Sequence, residues 1–259
     1  MIHPLASIDP SAKIAENVSI GPFTTIHGDV EIGEGTWISS NVTIFNGTRI
    51  GKNCKIYPGA VIASTPQDLK FDGEKTYVKI GDNTDIRECV TISRGTKDRF
   101  ETSIGSNCLL MAYVHIAHDC IVGNNCILAN AVQLAGHVII DEFAIVGGVS
   151  AVHQFVKIGA HSMVSGGSLV RKDVPPYIKA GREPLSYAGI NSIGLRRRGF
   201  SNETINEIQE IYRFLFLKGL NNSKALEAVE TELPASRERD LIITFFRESD
   251  RGIMKGYSK

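Results

Sequence analysis

The sequence lacks the features that mark several common functional classes. Its 28 basic and 28 acidic residues cancel, so no net charge favours nucleic acid or a membrane surface as a partner. No apolar run approaches the roughly 18 residues of a membrane-spanning helix, and no charged-then-apolar signal segment begins the chain. We therefore expect no nucleic-acid partner, no stable membrane insertion and a cytoplasmic location.

Cysteine is also scarce, and its pattern excludes a disulfide framework. The chain has five cysteines, an odd number, and no CxxC pair, which favours free thiols in a reducing compartment. Four of them occupy one position of the repeat described next and are predicted to fill the core; these are Cys54, Cys108, Cys120 and Cys126. Cys89 lies one position earlier in its repeat.

In place of those features the sequence has a six-residue repeat. Isoleucine stands at every sixth position of Ile2–Ile62, and aliphatic residues continue the period in Ile80–Ile92 and Ile104–Val170. A small or β-branched residue follows each of them four positions later. A fixed hexapeptide period is typical of a parallel β-helix, in which the aliphatic side chain fills the interior and the small one fits a corner.

The repeat predicts a mainly β fold, a left-handed parallel β-helix over residues 1–176. Three hexapeptides make one coil of about 18 residues, so the repeats predict about nine coils. The period is interrupted at 63–79 and 97–103, and these segments are predicted to leave the prism as loops.

The remainder of the chain changes to helical spacing. Apolar residues recur at intervals of three and four in Ser201–Lys218, where Ser201 is the predicted N-cap. Further helices are predicted at about 223–232 and 236–250. Residues 177–259 are therefore predicted to form a linker and a C-terminal helical domain that covers the open end of the solenoid.

The period also predicts which distant polar residues are neighbours. Residues one coil apart stack, so His118, Gly136 and Gln154 are expected to form one column. Asp119 and His137 belong to the adjacent column. The Gly136 position is most simply a corner glycine, but the missing side chain would also expose a backbone N–H that could stabilise an oxyanion.

Histidine is concentrated near this column. A single histidine at a corner is usually a solvated or packed side chain, whereas a cluster favours general-base chemistry near neutral pH. The clustered residues are His115, His118, His137, His153 and His161.

Metal binding is the alternative interpretation of the cluster. The γ-class carbonic anhydrases share the predicted fold and use three histidines, two of them spaced H-x4-H. His137 is followed five residues later by Glu142, so that pattern fails, although His115 and His137 have a suitable longer spacing. We predict no metal and no cofactor.

Four segments together closely resemble one enzyme family. They are His115–Cys120 (HIAHDC), Leu134–His137 (LAGH), Ala151–Phe155 (AVHQF) and Leu195–Phe200 (LRRRGF). The combination resembles the acyl-[acyl-carrier-protein]–UDP-N-acetylglucosamine O-acyltransferases, and the likeness spans nearly the whole chain. Hexapeptides alone are weakly specific, but this combination is strongly so.

The resemblance implies a reaction, two substrates and a homotrimer. A 3-hydroxyacyl chain would pass from acyl carrier protein to the 3-hydroxyl of UDP-N-acetylglucosamine, the first step of lipid A synthesis. His118 would be the general base, Asp119 its orienting partner and the Gly136 N–H the oxyanion donor. The other implied positions contact substrate or carrier: Asp68, Lys70, His115, His137, His153, Gln154, Gly166, Asn191, Arg197 and Arg198.

Two positions depart from the family pattern, and one bears on the donor. Ile193 stands where members often carry an acidic residue, and Pro184 where some carry histidine, so the uridine-side contacts are left open. Gly166 leaves the acyl slot unobstructed, which predicts a chain of about fourteen carbons or more rather than about ten.

Other functions are weighed against this one. The N-acyltransferase of the same pathway is expected to carry a sizeable domain before its repeats, whereas here they start at Ile2. An acetyl-CoA-dependent sugar acetyltransferase is expected to lack the four segments together. A scaffold or ice-binding β-helix predicts threonine rows and no histidine cluster. The 3-amino analogue of the sugar nucleotide stays open as acceptor.

Overall fold

A computed structural model of the protein describes residues 1–256 and shows a three-sided prism of stacked coils. Each side is one parallel sheet to which successive coils contribute one strand apiece. Gln133 pairs with His115 one coil below and with Ala151 one coil above, at the predicted offset. The predicted left-handed parallel β-helix is thereby confirmed.

Most strands of the prism are two residues long, and they form faces 1, 2 and 3 in chain order. Face 1 contains Ser7–Ile8, Thr25–Ile26, Thr43–Ile44, Val61–Ser64, Thr91–Ser93, His115–Ile116, Gln133–Leu134, Ala151–Val152 and Leu169–Val170. Face 2 contains Lys13–Ile14, Val30–Ile32, Thr48–Ile50, Tyr77–Ile80, Glu101–Ile104, Ile121–Val122, Ile139–Ile140 and Lys157–Ile158. Face 3 contains Ser19–Ile20, Trp37–Ile38, Lys55–Ile56, Asp85–Ile86, Leu109–Leu110, Ile127–Leu128, Ile145–Val146, Met163–Val164, Ile178–Gly181 and Ser186–Ile190.

The corners between faces are closed by a residue with positive φ. It is the fourth residue of the hexapeptide, with φ of 58° at Asn17, 59° at Asp119 and 64° at His137. Asparagine, aspartate and histidine tolerate this left-handed conformation better than most residues. The repeat therefore positions two of the candidate catalytic side chains at successive turns of one corner.

The interior of the prism is filled as the repeat predicts. The first-position residues Ile116 and Leu134 are buried, and Cys54, Cys108, Cys120 and Cys126 are buried among them. Cys89, displaced by one position, is exposed. The core is thus a single aliphatic column that fixes the register of every coil.

Two loops leave the prism, both shorter than the interruptions in the repeat suggest. The first loop is residues 65–76, between Val61–Ser64 and Tyr77–Ile80, and the second loop is residues 94–100. Tyr77–Ile80 and Glu101–Ile104 pair over four residues, so each of these strands begins before the aliphatic repeat resumes. This backbone pairing takes up residues that carry no repeat signal.

Sheet pairing continues past residue 176 on face 3. Ile178–Gly181 stacks in parallel on Met163–Val164, and Ser186–Ile190 returns antiparallel beside it. The predicted division at 176 marks the end of the repeat, while this face extends further along the chain.

Four helices follow: α1 Ser192–Arg197, α2 Asn202–Leu217, α3 Asn222–Glu232 and α4 Arg237–Arg247. The three predicted helices are present, and Ser201 caps α2 by accepting the Thr204 N–H. Helix α1 is too short to give a periodic signal and was not predicted. The Tyr212 hydroxyl of α2 donates to Pro176 O at 2.6 Å, which anchors the helices to the prism. Residues 257–259 of the predicted domain lie outside the described part.

None of the helices in residues 1–256 combines the length and the apolar character needed to cross a bilayer.

Candidate active site

The histidine cluster borders an open cleft at the edge of face 1. The cleft has a volume of about 410 Å³. Four of the predicted residues line it, namely His115, His118, Gly136 and Gln154, together with Gln67 of the first loop and Ser93. The eighteen-residue ruler therefore brings its central column to a single cavity.

Gly136 lies directly against the His118 ring. The His137 N–H donates to His118 O at 3.0 Å and the Phe155 N–H to Gly136 O at 3.2 Å, which holds three coils in vertical register. A methyl group on Gly136 would stand 2.7 Å from His118 Cε1 and 2.8 Å from Nε2, closer than side chains approach. The imidazole can occupy this corner only because residue 136 has no side chain.

His118 and Asp119 form a hydrogen-bonded dyad. His118 Nδ1 lies 2.8 Å from Asp119 Oδ2. A carboxylate can only accept, so Nδ1 carries the proton and Nε2 presents a lone pair. The His118 side chain is 13% exposed and that of Asp119 is fully buried. The dyad thus has a basic nitrogen near Gly136 with its orienting acid behind it.

The Asp119 carboxylate stays ionised in spite of its burial. Burial by itself raises the pKa of Asp119, but hydrogen bonds from His118 and Thr96 and the nearby His137 outweigh it and lower the pKa to about 2. An ionised carboxylate keeps the His118 ring in one tautomer and would stabilise the imidazolium formed during proton transfer.

His115 is a polar wall of the cleft and is not coupled to a carboxylate. Its Nδ1 lies 2.7 Å from Thr91 Oγ1. Burial first, and the charge of His118 second, lower the pKa of His115. A neutral imidazole at this position can donate or accept a hydrogen bond without adding charge.

His137 lies one coil above the dyad and packs on it. Its ring meets that of His118 edge-on at 5.0 Å and stacks on Phe155 at 4.4 Å. Asp98 Oδ2 approaches His137 Nδ1 to 3.1 Å, but without hydrogen-bond geometry, so this contact is an electrostatic one. His137 is therefore oriented mainly by ring packing.

The backbone N–H of Gly136 has no acceptor within residues 1–256. At equivalent corners a side chain of the next coil accepts it: Lys52 N–H donates to Asp82 at 2.7 Å and Ser106 N–H to Asn124 at 2.8 Å. The next coil here carries Gln154, whose exposed side chain makes no such bond. The Gly136 N–H is thus available to a ligand oxygen.

The structure places the predicted residues His153, Asp68 and Lys70 outside the lining of the cleft. His153 is exposed, with its Nδ1 at 3.1 Å from both Gln154 O and an Arg251 guanidinium nitrogen. Asp68 accepts the Lys70 N–H at 3.0 Å within the first loop. Gln67 is the residue of that loop that reaches the cavity.

Three more predicted residues lie at the corner between faces 2 and 3. The Asn191 side chain is buried, caps α1 and donates to His161 O at 2.9 Å. The Arg198 guanidinium lies 5.3 Å above the Phe143 ring, and Arg197 is exposed. Within one chain these residues belong to a different corner from His118.

Gly166 lies at the third corner, between faces 3 and 1. It stacks on Gly148, and a methyl group added to Gly166 would stand 3.1 Å from Gly148 O. The site is exposed. Gly166 therefore flanks face 1 on the edge opposite the His118 corner.

Sequence reasoning missed the residues that approach the dyad from outside the regular coils. Thr96 of the second loop donates to Asp119 through both its N–H and its hydroxyl. No repeat signal marks this loop. Thr91 pairs with His115 at 24 residues instead of 18, because six extra residues lie between their coils. Correcting the ruler for that insertion finds Thr91, but not Thr96.

The donor set of His118, Asp119 and His137 is also one that zinc uses. Within residues 1–256 these three offer ligand atoms that all lie within 4.8 Å of one another. The 2.8 Å between His118 Nδ1 and Asp119 Oδ2 is a hydrogen-bond length, shorter than the roughly 3.3 Å between neighbouring ligands of tetrahedral zinc. The geometry fits a proton-sharing dyad better than a metal centre. Glu142 lies at another corner, bonded through its C=O to His161 N–H.

Two family models match the chain. Residues 173–254 match the second domain of UDP-N-acetylglucosamine O-acyltransferase. Residues 29–64 and 101–136 match the bacterial transferase hexapeptide repeat. The first match lies on the helical region and the second on the prism.

Individual relatives cover nearly the full chain. The acyl-[acyl-carrier-protein]–UDP-N-acetylglucosamine O-acyltransferase of Chlorobium phaeobacteroides is 56% identical over 252 residues, 97% of this chain and 96% of its own. The UDP-N-acetylglucosamine acyltransferase structure from Bacteroides fragilis is 52% identical with a TM-score of 0.96, covering 98% of this chain and 100% of its own. The Francisella novicida acyltransferase structure is 42% identical with a TM-score of 0.95, covering 98% and 94%.

Proposed function

This chain belongs to the family of acyl-[acyl-carrier-protein]–UDP-N-acetylglucosamine O-acyltransferases, and on that premise we propose that it moves an acyl chain from acyl carrier protein to UDP-N-acetylglucosamine. The donor is a 3-hydroxyacyl thioester and the acceptor is the 3-hydroxyl of the glucosamine ring. The reaction is the first step of lipid A synthesis.

His118 is the general base of the reaction. A sugar hydroxyl is a poor nucleophile at neutral pH, and removal of its proton during attack is what a positioned imidazole supplies. The lone pair on His118 Nε2 takes this proton while Asp119 accepts the Nδ1–H and stabilises the imidazolium. The sugar oxygen then bonds to the thioester carbonyl carbon.

Gly136 supplies the oxyanion donor. The carbonyl oxygen gains negative charge in the tetrahedral intermediate, and the unpaired Gly136 N–H lies on the same corner as the base. Collapse of the intermediate breaks the carbon–sulfur bond and re-forms the carbonyl. The imidazolium returns its proton to the leaving thiolate of the carrier, so no covalent enzyme intermediate is formed.

One observation supports this function more than any other. The basic nitrogen of a carboxylate-oriented histidine and an unpaired backbone N–H lie on one corner, which is open to a cleft. A base and an oxyanion donor on the same side of a cavity suit acyl transfer between two bound substrates.

The remaining predicted residues bind the substrates. His115, His137 and Gln154 lie around the dyad and are suited to hydrogen bonds with the sugar and the acyl 3-hydroxyl. Asp68 and Lys70 on the first loop, and His153 at the rim, contact the sugar nucleotide or the carrier arm. The positive charges of Arg197 and Arg198 and the amide of Asn191 suit anionic or polar groups of either substrate.

A homotrimer reconciles the positions of these residues. Within one chain, Arg198 and Asn191 lie at a different corner from His118, and the cleft is open. Exposed apolar residues such as Tyr113 and Phe155 stand on corners that border face 1, with 63% and 45% of their surface accessible. Packing a neighbour's corner against face 1 closes the cleft and brings both groups of residues to it.

Gly166 sets the length of the acyl chain. It is exposed on the far edge of face 1, in a column where Gly148 also lacks a side chain. An open column favours long donors, of about fourteen carbons or more.

A cytoplasmic location accompanies this function. All five cysteines are free thiols, and free thiols are the norm in reducing compartments. The absence of any disulfide requirement suits synthesis and action on the cytoplasmic side.

The test is an acyl-transfer assay with purified protein, UDP-N-acetylglucosamine and a panel of 3-hydroxyacyl carrier proteins. Mass spectrometry should find an ester on the sugar 3-hydroxyl. Replacing the donors by acetyl-CoA, or the acceptor by its 3-amino analogue, should give much slower turnover. Faster turnover with acetyl-CoA would reassign the protein to the sugar acetyltransferases.

A further inference from the structure

The Asp119 carboxylate is held from outside the prism by the second loop. Thr96 donates its N–H to Oδ1 at 2.9 Å and its hydroxyl to Oδ2 at 2.7 Å. The Arg99 N–H adds a bond to Oδ1 at 3.2 Å. Three donors from one loop therefore converge on a fully buried carboxylate, and none of them belongs to a repeat.

We propose that Thr96 is a positioning residue of the reaction, whose hydroxyl fixes the Asp119 carboxylate so that His118 is held in its catalytic orientation and tautomer. The proposal deepens the acyl-transfer function above and rests on it. Thr96 touches neither substrate nor the reacting atoms in this role. It acts through Asp119 alone.

The shared oxygen is the central geometric point. Oδ2 accepts from the Thr96 hydroxyl at 2.7 Å and lies 2.8 Å from His118 Nδ1. With Oδ1 occupied by two backbone N–H groups, rotation of the carboxylate would break bonds on both oxygens. The direction of the lone pair that His118 meets is thereby fixed, and so is the plane of the imidazole.

The backbone of Asp119 is also held, but by other groups. Its N–H donates to Thr102 Oγ1 at 2.9 Å, and its C=O accepts from the Arg99 guanidinium at 3.1 Å. These bonds set the corner and leave the side-chain torsions free. Orientation of the carboxylate itself depends on the second loop.

The loop does not need the Thr96 hydroxyl to keep its shape. Its backbone is anchored to the prism by Arg94 N–H to Ser64 O at 3.0 Å and Gly95 N–H to Tyr77 O at 3.2 Å. The Lys97 N–H donates to Glu74 of the first loop at 2.9 Å. Removing one hydroxyl therefore leaves the loop tied at both ends, and an effect on the reaction can be separated from unfolding.

Loss of the hydroxyl has two consequences for the reaction. A freer carboxylate orients His118 less well, which lowers kcat and leaves KM unchanged because substrate contacts are intact. A carboxylate that has lost a donor is also a stronger acceptor for the imidazolium, so the low-pH limb of kcat/KM moves to higher pH. The charged or titratable groups around this ring are Asp119, His137, His115, and Asp98 and Arg99 of the second loop.

The experiment compares Thr96→Val, which is nearly isosteric, with Thr96→Ser, which restores the hydroxyl. Thr84→Val is the matched control, since Thr84 is also buried and its hydroxyl bonds the Gly105 and Cys108 backbone far from the cleft. His118→Ala is measured beside them. Each protein is assayed for kcat, KM and pH profile, with thermal unfolding to check folding.

Thr96→Val should lose roughly tenfold to a hundredfold in kcat at unchanged KM, with the low-pH limb displaced upward. Thr96→Ser should recover most of the rate, and Thr84→Val should match the unmodified protein. A Thr96→Val enzyme with normal kcat and pH profile beside an inactive His118→Ala would overturn the inference and leave the proposed function standing. An active His118→Ala would instead remove the proposed function.

Discussion

His118 and Gly136 stack so closely across one coil that a methyl group on Gly136 would stand 2.8 Å from His118 Nε2. The base and the unpaired N–H are therefore successive turns of one corner. Their separation is fixed by the hydrogen-bonded rise of the β-helix, and no flexible loop is needed to set it.

Gly136→Ala should abolish most acyl transfer without unfolding the prism. The new methyl would displace the His118 ring, because its nearest neighbours are ring atoms at 2.7 and 2.8 Å. A displacement of this size costs on the order of a hundredfold in rate. Steady-state kinetics with a saturating acceptor would measure it.

Gly28→Ala is the matched control for this change. Gly28 is also the third residue of a face 1 hexapeptide, but a methyl there would meet the flexible side chains of Ser11 and Asp9. Gly28→Ala should keep its activity. Equal losses in both variants would mean that alanine disrupts the corner generally and that the His118 contact is not special.

Asp119→Asn should keep the fold and lose activity. Asparagine suits the positive φ of this corner, as at Asn107 and Asn125, where φ is 59°. The neutral amide cannot stabilise the imidazolium and permits the wrong tautomer of His118, so kcat should fall by roughly a hundredfold or more. Circular dichroism beside the kinetic assay separates this outcome from misfolding, and a normal kcat would contradict the assigned role.

Much of this architecture is predictable because its signal is local and periodic. The aliphatic ladder fixes the coil at 18 residues, so the neighbours Gly136 and His118 follow from counting. Helix α2 is announced by its apolar spacing and by Ser201. These features need no knowledge of how distant segments meet.

The rest depends on contacts that leave no periodic trace. Thr96 reaches Asp119 from a loop whose path is set by the side chain of Glu74 and by isolated backbone bonds. Arg198 lies against Phe143 only because α1 begins where Asn191 caps it. Whether such residues join the His118 cleft depends on a second chain, which no pattern within one sequence specifies.

His161→Phe should make stability less sensitive to acid. His161 stacks between Phe143 and Tyr177, and burial first, with the charges of Arg198 and Arg237, lowers its pKa from 6.5 to about 4. The folded protein therefore resists a proton that the unfolded chain accepts. Stability is complete above pH 6.5 and is lost as the pH falls towards 4.

The size of this effect is on the order of 2 to 3 kcal/mol in the free energy of unfolding. Urea unfolding at pH 7 and at pH 4.5 should show a smaller loss for His161→Phe than for the unmodified protein. Phenylalanine fits the corner, since Phe143 of the same column has a φ of 59°. Equal losses in the two proteins would show that His161 does not carry the acid sensitivity.

Gly166→Met should shorten the preferred acyl chain. The new side chain would project from an exposed corner where Gly148 O lies 3.1 Å from the added Cβ, and so would obstruct the open column. The ratio of kcat/KM for donors of about fourteen and about ten carbons should fall by at least tenfold. An unchanged ratio would mean that chain length is read elsewhere on face 1.

The most direct test of the central claim is a single-turnover assay with 3-hydroxyacyl carrier protein and UDP-N-acetylglucosamine, comparing the unmodified protein with His118→Ala. Saturating substrates isolate the chemical step from binding and product release. The rate of ester formation should fall by a factor of about a hundred to ten thousand when the base is removed. An undiminished rate in His118→Ala would contradict the assignment of His118 as the general base.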